Sequence, residues 1–127
     1  MTMEPIAIKT HGLILGTENF GAGVRFYRDI IGLPVWFEKH ELVCLRFGGG
    51  YLMIETGGMA RSGVKSNSEN PIMTRFNVAD VEAAAGILRG RGVGVDVTRY
   101  EWGTVGTFAD PDGNKIELKN AEDPFFE

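Results

Sequence analysis

Two glutamates lie in short segments whose neighbouring side chains should point in opposite directions. Glu55 lies in the segment 51–55 (YLMIE), and Glu117 lies in the segment 115–119 (KIELK). Because side chains alternate between the two faces of a β-strand, each glutamate should lie on the face opposite its leucine and isoleucine neighbours. A carboxylate on a buried face is costly unless a cation neutralises it. The two residues therefore predict a polar site that could hold a cation or move a proton.

Few other groups in the sequence could react covalently. The single cysteine, Cys44, excludes an internal disulfide and any metal site made of several cysteines. It stands between Val43 and Leu45, which is typical of a small buried hydrophobic residue rather than of a nucleophile. The sequence also has no Ser-His-Asp order and no glycine loop of the phosphate-binding type.

The composition is that of a globular domain with a hydrophobic core. The chain has 127 residues, of which 43% are hydrophobic and 24% are charged. Thirteen Lys and Arg against 17 Asp and Glu give a net charge of -4, which argues against nucleic acid and anionic membranes as partners. No apolar run is long enough to span a membrane and no signal-peptide pattern is present, so we expect a cytoplasmic protein.

The first half of the chain predicts one strand, one helix and three further strands. The first strand covers residues 12–16, and apolar residues then recur at helical spacing from Phe20 to Ile31. Asn19 is a candidate N-cap and Gly32 a stop signal for this helix. Three strand-like segments follow at 35–38, 42–47 and 51–56.

The second half repeats this plan at an offset of 61 residues, counted from Asn19 to Asp80. A strand at 72–78 and a helix from Asp80 to about residue 89 precede strands at 93–97, 105–109 and 115–119. The expected fold is α+β, with module one at about 8–57, a linker at 58–71 and module two at about 72–120 in a single domain, 1–127. Two such modules could turn their helix-free faces toward each other and form a cup, and ligands favour concave surfaces.

Two segments resemble the hallmark stretches of the vicinal oxygen chelate superfamily, which includes glyoxalase I, bleomycin-resistance and fosfomycin-resistance proteins, and extradiol dioxygenases. They are residues 26–33 (FYRDIIGL) and 110–118 (DPDGNKIEL). The resemblance covers about residues 8–120. It implies two βαβββ modules that form a cup-shaped, half-open mixed sheet with helices outside, and a homodimer as the assembly.

The same resemblance implies a divalent metal ion, such as zinc, nickel, manganese or iron, held by up to four side chains. Glu55 and Glu117 match the last-strand ligand positions, but the first-strand positions fall on Gly12 and Met73, which do not ligate such ions. His11 precedes the first of these positions by one residue. A one-residue slip of the strand could bring it into the site; otherwise it is a surface histidine.

Arg75 and Asn77 share the strand face of Met73 by alternation. A guanidinium forks well onto carboxylate oxygens, so one hypothesis is that Arg75 replaces the charge of the missing metal. The alternative is that Arg75 reaches solvent at the strand edge and pairs with nothing.

Arg75, Asn77 and Met73 are candidates for binding a ligand, and three further residues join them. Tyr51 and Met53 should lie on the face of Glu55, where they could line the site or serve only as packing. Trp102 precedes a strand and could stack on a planar ligand. An alternative role for Trp102 is in the core or at a dimer interface.

Two functional classes follow from the resemblance. In the first, the protein binds a small organic molecule in the cup, as a resistance-type protein does, without a complete metal site. In the second, it is a metal-dependent lyase, isomerase or dioxygenase, with Glu55, Glu117 and His11 as metal ligands and a glutamate as the catalytic base. The missing first-strand ligands favour the first class, and the two glutamates favour the second.

Overall fold

A computed structural model of the protein describes residues 3–121, and the chain divides between Gly58 and Met59 into two compact units. The first unit contains β1 (Gly12–Thr17), α1 (Phe20–Arg25), a π-helical segment (Phe26–Ile31), β2 (Val35–Lys39), β3 (Leu42–Phe47) and β4 (Gly50–Thr56). The second contains β5 (Thr74–Val78), α2 (Val81–Gly90), β6 (Asp96–Tyr100), β7 (Gly103–Ala109) and β8 (Lys115–Asn120). Among residues 3–121, no helix combines the length and apolar character needed to cross a membrane.

Each unit contains one four-stranded sheet, and the two sheets have the same topology. The strand orders are β1-β4-β3-β2 and β5-β8-β7-β6, in which the first pair is parallel and the other pairs are antiparallel. This confirms the α+β fold and the duplicated βαβββ module. The arrangement of the two modules as a cup stays a prediction.

The helical region of the first unit forms where apolar residues recur at helical spacing, but only its first half is α-helical. Val24 and Tyr27 are buried, at 6% and 2% exposure, and the region ends at Gly32, whose φ of 92° favours glycine. The Asn19 carbonyl accepts a hydrogen bond from the Gly23 N–H, but the Asn19 side chain makes no capping hydrogen bond. Asn19 is therefore the N-cap residue, as predicted, although its side chain does not cap the helix.

The second helix has the N-cap that the sequence predicts. Oδ1 of Asp80 accepts a hydrogen bond from the backbone N–H of Ala83 at 3.0 Å. Val81, Ala85 and Leu88 are buried on one side of α2, as their spacing requires.

Strand alternation in β4 and β8 is confirmed by burial. Leu52 and Ile54 are 2% and 0% exposed, and Ile116 and Leu118 are 0% and 3% exposed. Each such buried side chain contributes roughly 1.5–3 kcal/mol to folding. The apolar face of each sheet packs against its helix, so the alternate residues, including Glu55 and Glu117, lie on the helix-free face.

Two strands of the second unit begin later than the sequence predicts. β5 starts at Thr74 rather than at residue 72, and Ile72 and Met73 are 62% and 40% exposed. β6 occupies 96–100 rather than 93–97 and forms a hairpin with β7 across a two-residue turn. The bounds of this hairpin cannot be read from the pattern of apolar residues, because its sequence is a mixture of polar and apolar residues. Its two strands pair through backbone hydrogen bonds, which do not require apolar alternation.

The linker packs on the turn between β7 and β8. The Arg61 N–H donates to the Asp112 carbonyl at 3.1 Å, and the Lys65 N–H donates to the Gly113 carbonyl at 2.8 Å. Gly113 has a φ of 88°, and a Cβ atom on it would overlap the Gly63 carbonyl oxygen. Only glycine combines this conformation with such a close approach of backbone.

The buried Asp110 carboxylate accepts hydrogen bonds that stabilise this turn. Its Oδ1 accepts the backbone N–H groups of Asp112 and Asn114 at 2.9 Å each, and its Oδ2 accepts from Asn114 Nδ2 at 2.9 Å. All three side chains are buried. The hallmark segment at 110–114 therefore serves folding here, because its polar groups close the turn and bind the linker.

Candidate functional site

An ion pair joins two of the predicted site residues on the helix-free face of the second sheet. Arg75 and Glu117 are register partners in the parallel pair β5–β8, and Arg75 Nη2 lies 2.5 Å from Glu117 Oε1. Their side chains are 38% and 13% exposed, and Oε1 itself is buried. The contact lacks hydrogen-bond geometry, so the attraction is ionic. Of the two alternatives for Arg75, the structure shows the paired one, with Glu117 as partner.

Trp102 lies in the turn between β6 and β7 and contacts Lys119, which follows Glu117 by two residues on β8. Its ring stacks on Tyr100 with centroids 4.6 Å apart and planes 7° from parallel. Lys119 Nζ lies 4.8 Å from the centre of the Trp102 ring, a cation–π contact. Trp102 is 45% exposed, so it does not belong to the core; a role at a dimer interface stays a prediction.

Two lysines of β8, Lys115 and Lys119, lie on the same face as the ion pair. Arg75, Lys115 and Lys119 accompany the single carboxylate of Glu117 on β5 and β8, since alternation places all four on the helix-free side. Asp96, at the other edge of the sheet on β6, is the register partner of Thr107 and adds one negative charge.

Asn77 lies in β5 two residues after Arg75, and Met73 lies just before that strand. Asn77 is exposed, and its Nδ2 donates to the Asn120 carbonyl at 3.4 Å, at the end of the sheet. Met73 precedes β5 and is 40% exposed, so its side chain is not positioned by strand pairing.

In the first unit, the Tyr51 ring occupies the space beside Gly12. The two residues are register partners in the parallel pair β1–β4. A Cβ atom on Gly12 would overlap three atoms of the Tyr51 ring. The ring therefore fills the volume that a ligating side chain at the first-strand position would need.

Trp36 and Arg46 extend this aromatic surface, and sequence analysis did not identify either. The Trp36 ring lies 5.9 Å from Tyr51 and 4.8 Å from Arg46 Cζ. An irregularity in the β2–β3 register between Val35 and Phe37 interrupts strict alternation near Trp36. The sequence could have placed Trp36 beside Tyr51 only if a β-bulge had been predicted in β2.

Glu55 and Met53 lie on the same helix-free face as Tyr51. Both are half-buried, and Glu55 is the register partner of Gly16 on β1 and of Leu42 on β3. Cys44, the register partner of Met53, is fully buried, and burial raises the pKa of its thiol. A raised pKa leaves less thiolate at neutral pH, in keeping with a packing role.

His11 immediately precedes β1, and the register slip that would turn it into the site is not present. β1 pairs with β4 in continuous register from Gly12 to Thr17. The His11 carbonyl accepts the Tyr51 N–H at 3.1 Å, and its exposed imidazole lies beside Gly50, which has no Cβ to exclude it.

The two glutamates do not occupy equivalent positions in their modules. The loop from first strand to helix has the same length in both units, so Thr17 corresponds to Val78. Thr17 pairs with Thr56 and Val78 pairs with Asn120. By this register Glu117 corresponds to Met53, and Glu55 corresponds to Lys119.

These residues do not fit a divalent metal ion. Among residues 3–121, no group of three His, Cys, Asp or Glu side chains is gathered in a way that could hold one. The Tyr51 ring fills the place beside Gly12, and Arg75 engages Glu117. A metal ion of this kind requires three or more protein ligands, so the arrangement does not support the chelation that the resemblance implies.

Comparison with known proteins extends over almost the whole chain. Among curated proteins, the uncharacterized protein YraH of Bacillus subtilis (strain 168) is 28% identical over 114 residues, which cover 80% of this chain and 89% of that protein.

Solved structures share the fold at lower identity. A putative glyoxalase family protein from Bacillus anthracis has a TM-score of 0.71 at 15% identity, covering 94% of this chain and 100% of that one. Lactoylglutathione lyase from Agrobacterium tumefaciens has a TM-score of 0.67 at 18% identity, covering 93% and 96%. TnmS3, an antibiotic binding protein from Streptomyces sp. CB03234, has a TM-score of 0.67 at 20% identity, covering 94% and 100%.

The family assignment rests on a match over most of the sequence. Residues 9–118 match the family described as the Glyoxalase/Bleomycin resistance protein/Dioxygenase superfamily. This range includes both hallmark segments and nearly all of the two βαβββ modules. The chain therefore belongs to the glyoxalase/bleomycin resistance protein/dioxygenase superfamily.

Proposed function

We propose that this protein binds a small organic molecule on the helix-free faces of its sheets, without a complete metal site. The observation that carries the proposal is the ion pair of Arg75 with Glu117, because it places a protein cation on the carboxylate that a metal ion would otherwise need. The Tyr51 ring beside Gly12 supports the same conclusion in the first unit.

The side chains on these faces suit the binding of an organic ligand. Tyr51 and Trp102 offer aromatic surface, Met53 offers an adaptable apolar contact, and Arg75 and Asn77 offer polar groups at one end of the second sheet. Such a mixture of apolar area and a few polar groups is typical of small-molecule sites. The fold is also that of TnmS3, which is described as an antibiotic binding protein.

The second candidate is a metal-dependent lyase, isomerase or dioxygenase. The retention of Glu55 and Glu117 on helix-free faces favours it, and a neighbour of the same fold is a lactoylglutathione lyase. The donor groups do not fit a metal ion as they stand, so metal content separates the two candidates. A homodimer in the cytoplasm, with no nucleic-acid or membrane partner, completes the proposal.

Metal content and ligand-dependent stabilisation test the proposed function together. We expect dialysed protein to contain no stoichiometric zinc, nickel, manganese or iron by elemental analysis. We also expect at least one compound in a panel of neutral, anionic and cationic aromatic molecules to raise the melting temperature, because a ligand that binds only the folded state stabilises it.

Two variants test whether the ligand that raises the melting temperature binds near Tyr51. Tyr51→Leu should reduce the ligand-induced rise in melting temperature, since it removes aromatic surface from the helix-free face. Ile87→Ala is the control, because Ile87 is 55% exposed on α2 and so lies away from that face. Stoichiometric metal in the dialysed protein would overturn the proposal in favour of the enzyme.

A further inference from the structure

We propose that the ligand is an aromatic carboxylate that binds on the helix-free face of the first sheet, with its carboxylate on Arg46 and its ring against Trp36 and Tyr51. The inference rests on the proposed function and specifies the chemistry of the ligand and the place where it binds. Three features of the first unit support it: an irregular strand that adds an aromatic ring to this face, an arginine without an acidic partner, and the position of the carboxylates.

The irregularity in β2 gives the helix-free face an additional aromatic ring. Phe37 pairs with Cys44, whose partner Met53 lies on the helix-free face, so Phe37 points to that face as well. In a regular strand the preceding residue, Trp36, would point to the opposite face. The register shift allows the Trp36 ring to lie 5.9 Å from the Tyr51 ring instead. Trp36 is 44% exposed, so a ligand ring can reach this aromatic surface.

Arg46 lies against the same aromatic surface without an acidic partner. Its Cζ lies 4.8 Å from the centre of the Trp36 ring, and it is the register partner of Tyr51. Arg46 is exposed, and among residues 3–121 its side chain forms no ion pair and no hydrogen bond. A cation–π contact steadies the guanidinium but satisfies none of its N–H donors with an oxygen. These donors can therefore bind both oxygens of a carboxylate.

The carboxylate of the first unit that shares this face lies at the other end of the sheet. Glu55 follows Tyr51, the register partner of Arg46, by four residues on β4, which is about 13 Å along a strand. Glu18, just after β1, and Glu41, in the turn between β2 and β3, lie at the same end as Glu55. Their charges are therefore largely screened from Arg46 at physiological salt.

The remaining carboxylates of the first unit also leave Arg46 unpaired. Asp29 and Glu38 lie on the helix side of the sheet, where they are 2.8 and 3.8 Å from Arg28. Glu4 lies in the exposed segment before β1, which also contains Lys9, and the described part of the chain contains no ion pair between Glu4 and Arg46. The Arg46 end of the face therefore attracts an anion, although the chain as a whole has a net charge of -4.

Arg75 on the second sheet provides an internal comparison. Its Nη2 lies 2.5 Å from Oε1 of Glu117, so a carboxylate of the protein already compensates its charge. Arg46 has an aromatic partner instead of an acidic one. A carboxylate from outside the chain can take the place beside Arg46 that Glu117 takes beside Arg75.

Three probes that share one ring test the inference: 4-nitrobenzoate, the neutral 4-nitrobenzamide and the cationic 4-nitrobenzylammonium ion. Their affinities for the full chain are measured by calorimetry at low salt. We expect the benzoate to bind at least about tenfold more tightly than the amide, because a hydrogen bond between ionised groups is stronger than a neutral one. The ammonium ion should bind most weakly. Added salt should weaken binding of the benzoate and leave that of the amide nearly unchanged.

Substitution of Arg46 tests its role directly. Arg46→Met should reduce the preference for the benzoate over the amide to less than about twofold, because it removes the charge-assisted contact. Arg46→Lys should retain part of the preference, since an ammonium group keeps the charge but not the planar fork. Arg25→Met is the matched control and should leave the preference unchanged, because Arg25 is exposed on α1, on the opposite side of the sheet. Circular dichroism checks that each variant is folded.

Tryptophan fluorescence locates the bound ring, because each unit contains one of the two tryptophans. Nitroaromatic rings quench an indole that they contact. In Trp102→Phe, where Trp36 is the reporter, we expect 4-nitrobenzoate to quench with the midpoint that calorimetry gives. In Trp36→Phe, quenching of Trp102 should rise linearly with 4-nitrobenzoate and not saturate.

Equal affinities for 4-nitrobenzoate and 4-nitrobenzamide would overturn the inference and leave small-molecule binding intact. An unchanged preference in Arg46→Met, saturable quenching of Trp102 in place of Trp36, or no binding of any of the three probes would also overturn it. The metal content and the wider panel of compounds judge the proposed function separately, so the two failures are distinguishable.

Discussion

At the scale of single residues, the ion pair between Arg75 and Glu117 has the largest influence on the candidate site. Glu117 is 13% exposed, so its carboxylate depends on a nearby cation more than a surface glutamate would. Arg75 is 38% exposed and remains in contact with solvent, which reduces what the pair contributes to stability. The ion pair matters chiefly to Glu117, because burial has removed most of the solvent that would otherwise stabilise its carboxylate.

A double-mutant cycle measures this dependence. Arg75→Met should lower the free energy of unfolding by roughly 1–3 kcal/mol, because it leaves a mostly buried carboxylate without its cation. In a Glu117→Gln background the same substitution should cost less, since no charge is left behind. Urea denaturation of the four proteins gives the coupling energy. Equal costs in both backgrounds would mean that the pair contributes nothing.

At the scale of elements, the linker and the β7–β8 turn act as one structure. The Ser66 N–H donates to Glu69 Oε1 at 3.0 Å, and the Glu69 N–H donates to Ser66 Oγ at 3.3 Å. Hydrogen bonds to the Glu69 carboxylate, from the Ser66 backbone N–H first and then from the Ser66 side chain, lower the pKa of Glu69. A lowered pKa means that this stabilisation is present above the ordinary pKa of a glutamate and is lost as pH falls through the lowered value. Acid should therefore loosen the linker.

A substitution of Gly113 tests how much the close contact between the turn and the linker contributes to stability. Gly113→Ala should destabilise the protein by roughly 1–3 kcal/mol or more, because it imposes a side chain at positive φ and overlaps the Gly63 carbonyl. Gly86→Ala is the matched control: Gly86 lies within α2 with open space around it, so alanine should stabilise by about 0.5–1 kcal/mol. Thermal melts compare the two. A neutral Gly113→Ala would show that the close approach is unimportant.

Sequence analysis predicted those elements in which burial and alternation agree. The segments around Leu52 and Ile116 were correctly oriented because their apolar residues face a helix and must alternate. The start of β5 was misplaced because Met73 is apolar but exposed. The position of Trp36 depends on a bulge, and the contact of Trp102 with Tyr100 depends on a hairpin, and neither leaves a periodic pattern in the sequence.

At the scale of the whole molecule, the chain consists of two units built to one plan but carrying different chemistry. The first unit presents Tyr51 and Trp36 with one arginine nearby, and the second presents Trp102 with Lys119 and an ion pair. Both units keep the same strand order, and the side chains that β4 and β8 turn toward the helices are alike in size and polarity: Leu52 and Ile54, and Ile116 and Leu118. The helix-free faces are under no such constraint and carry different side chains in the two units.

Thermal melts of the whole chain test whether a metal ion contributes to stability. A tightly bound ion that favours the folded state would raise the melting temperature, and a chelator would lower it. We expect the same melting temperature with chelator, without chelator and after addition of zinc, nickel, manganese or iron(II). A known metal-loaded protein melted in parallel shows that the chelator is active. A clear fall in chelator would support the enzyme instead.

The two-residue offset between the glutamates limits how this protein could be converted by mutation. The strand registers match Glu117 with Met53, and Glu55 with Lys119. Introducing histidines at positions 12 and 73 would therefore produce two half-sites with unequal reach, even if Tyr51 made room. A chain with acidic groups at equivalent positions of its two modules would need Met53→Glu or Lys119→Glu as well, so evolution or design must first move a charge by two residues along β4 or β8.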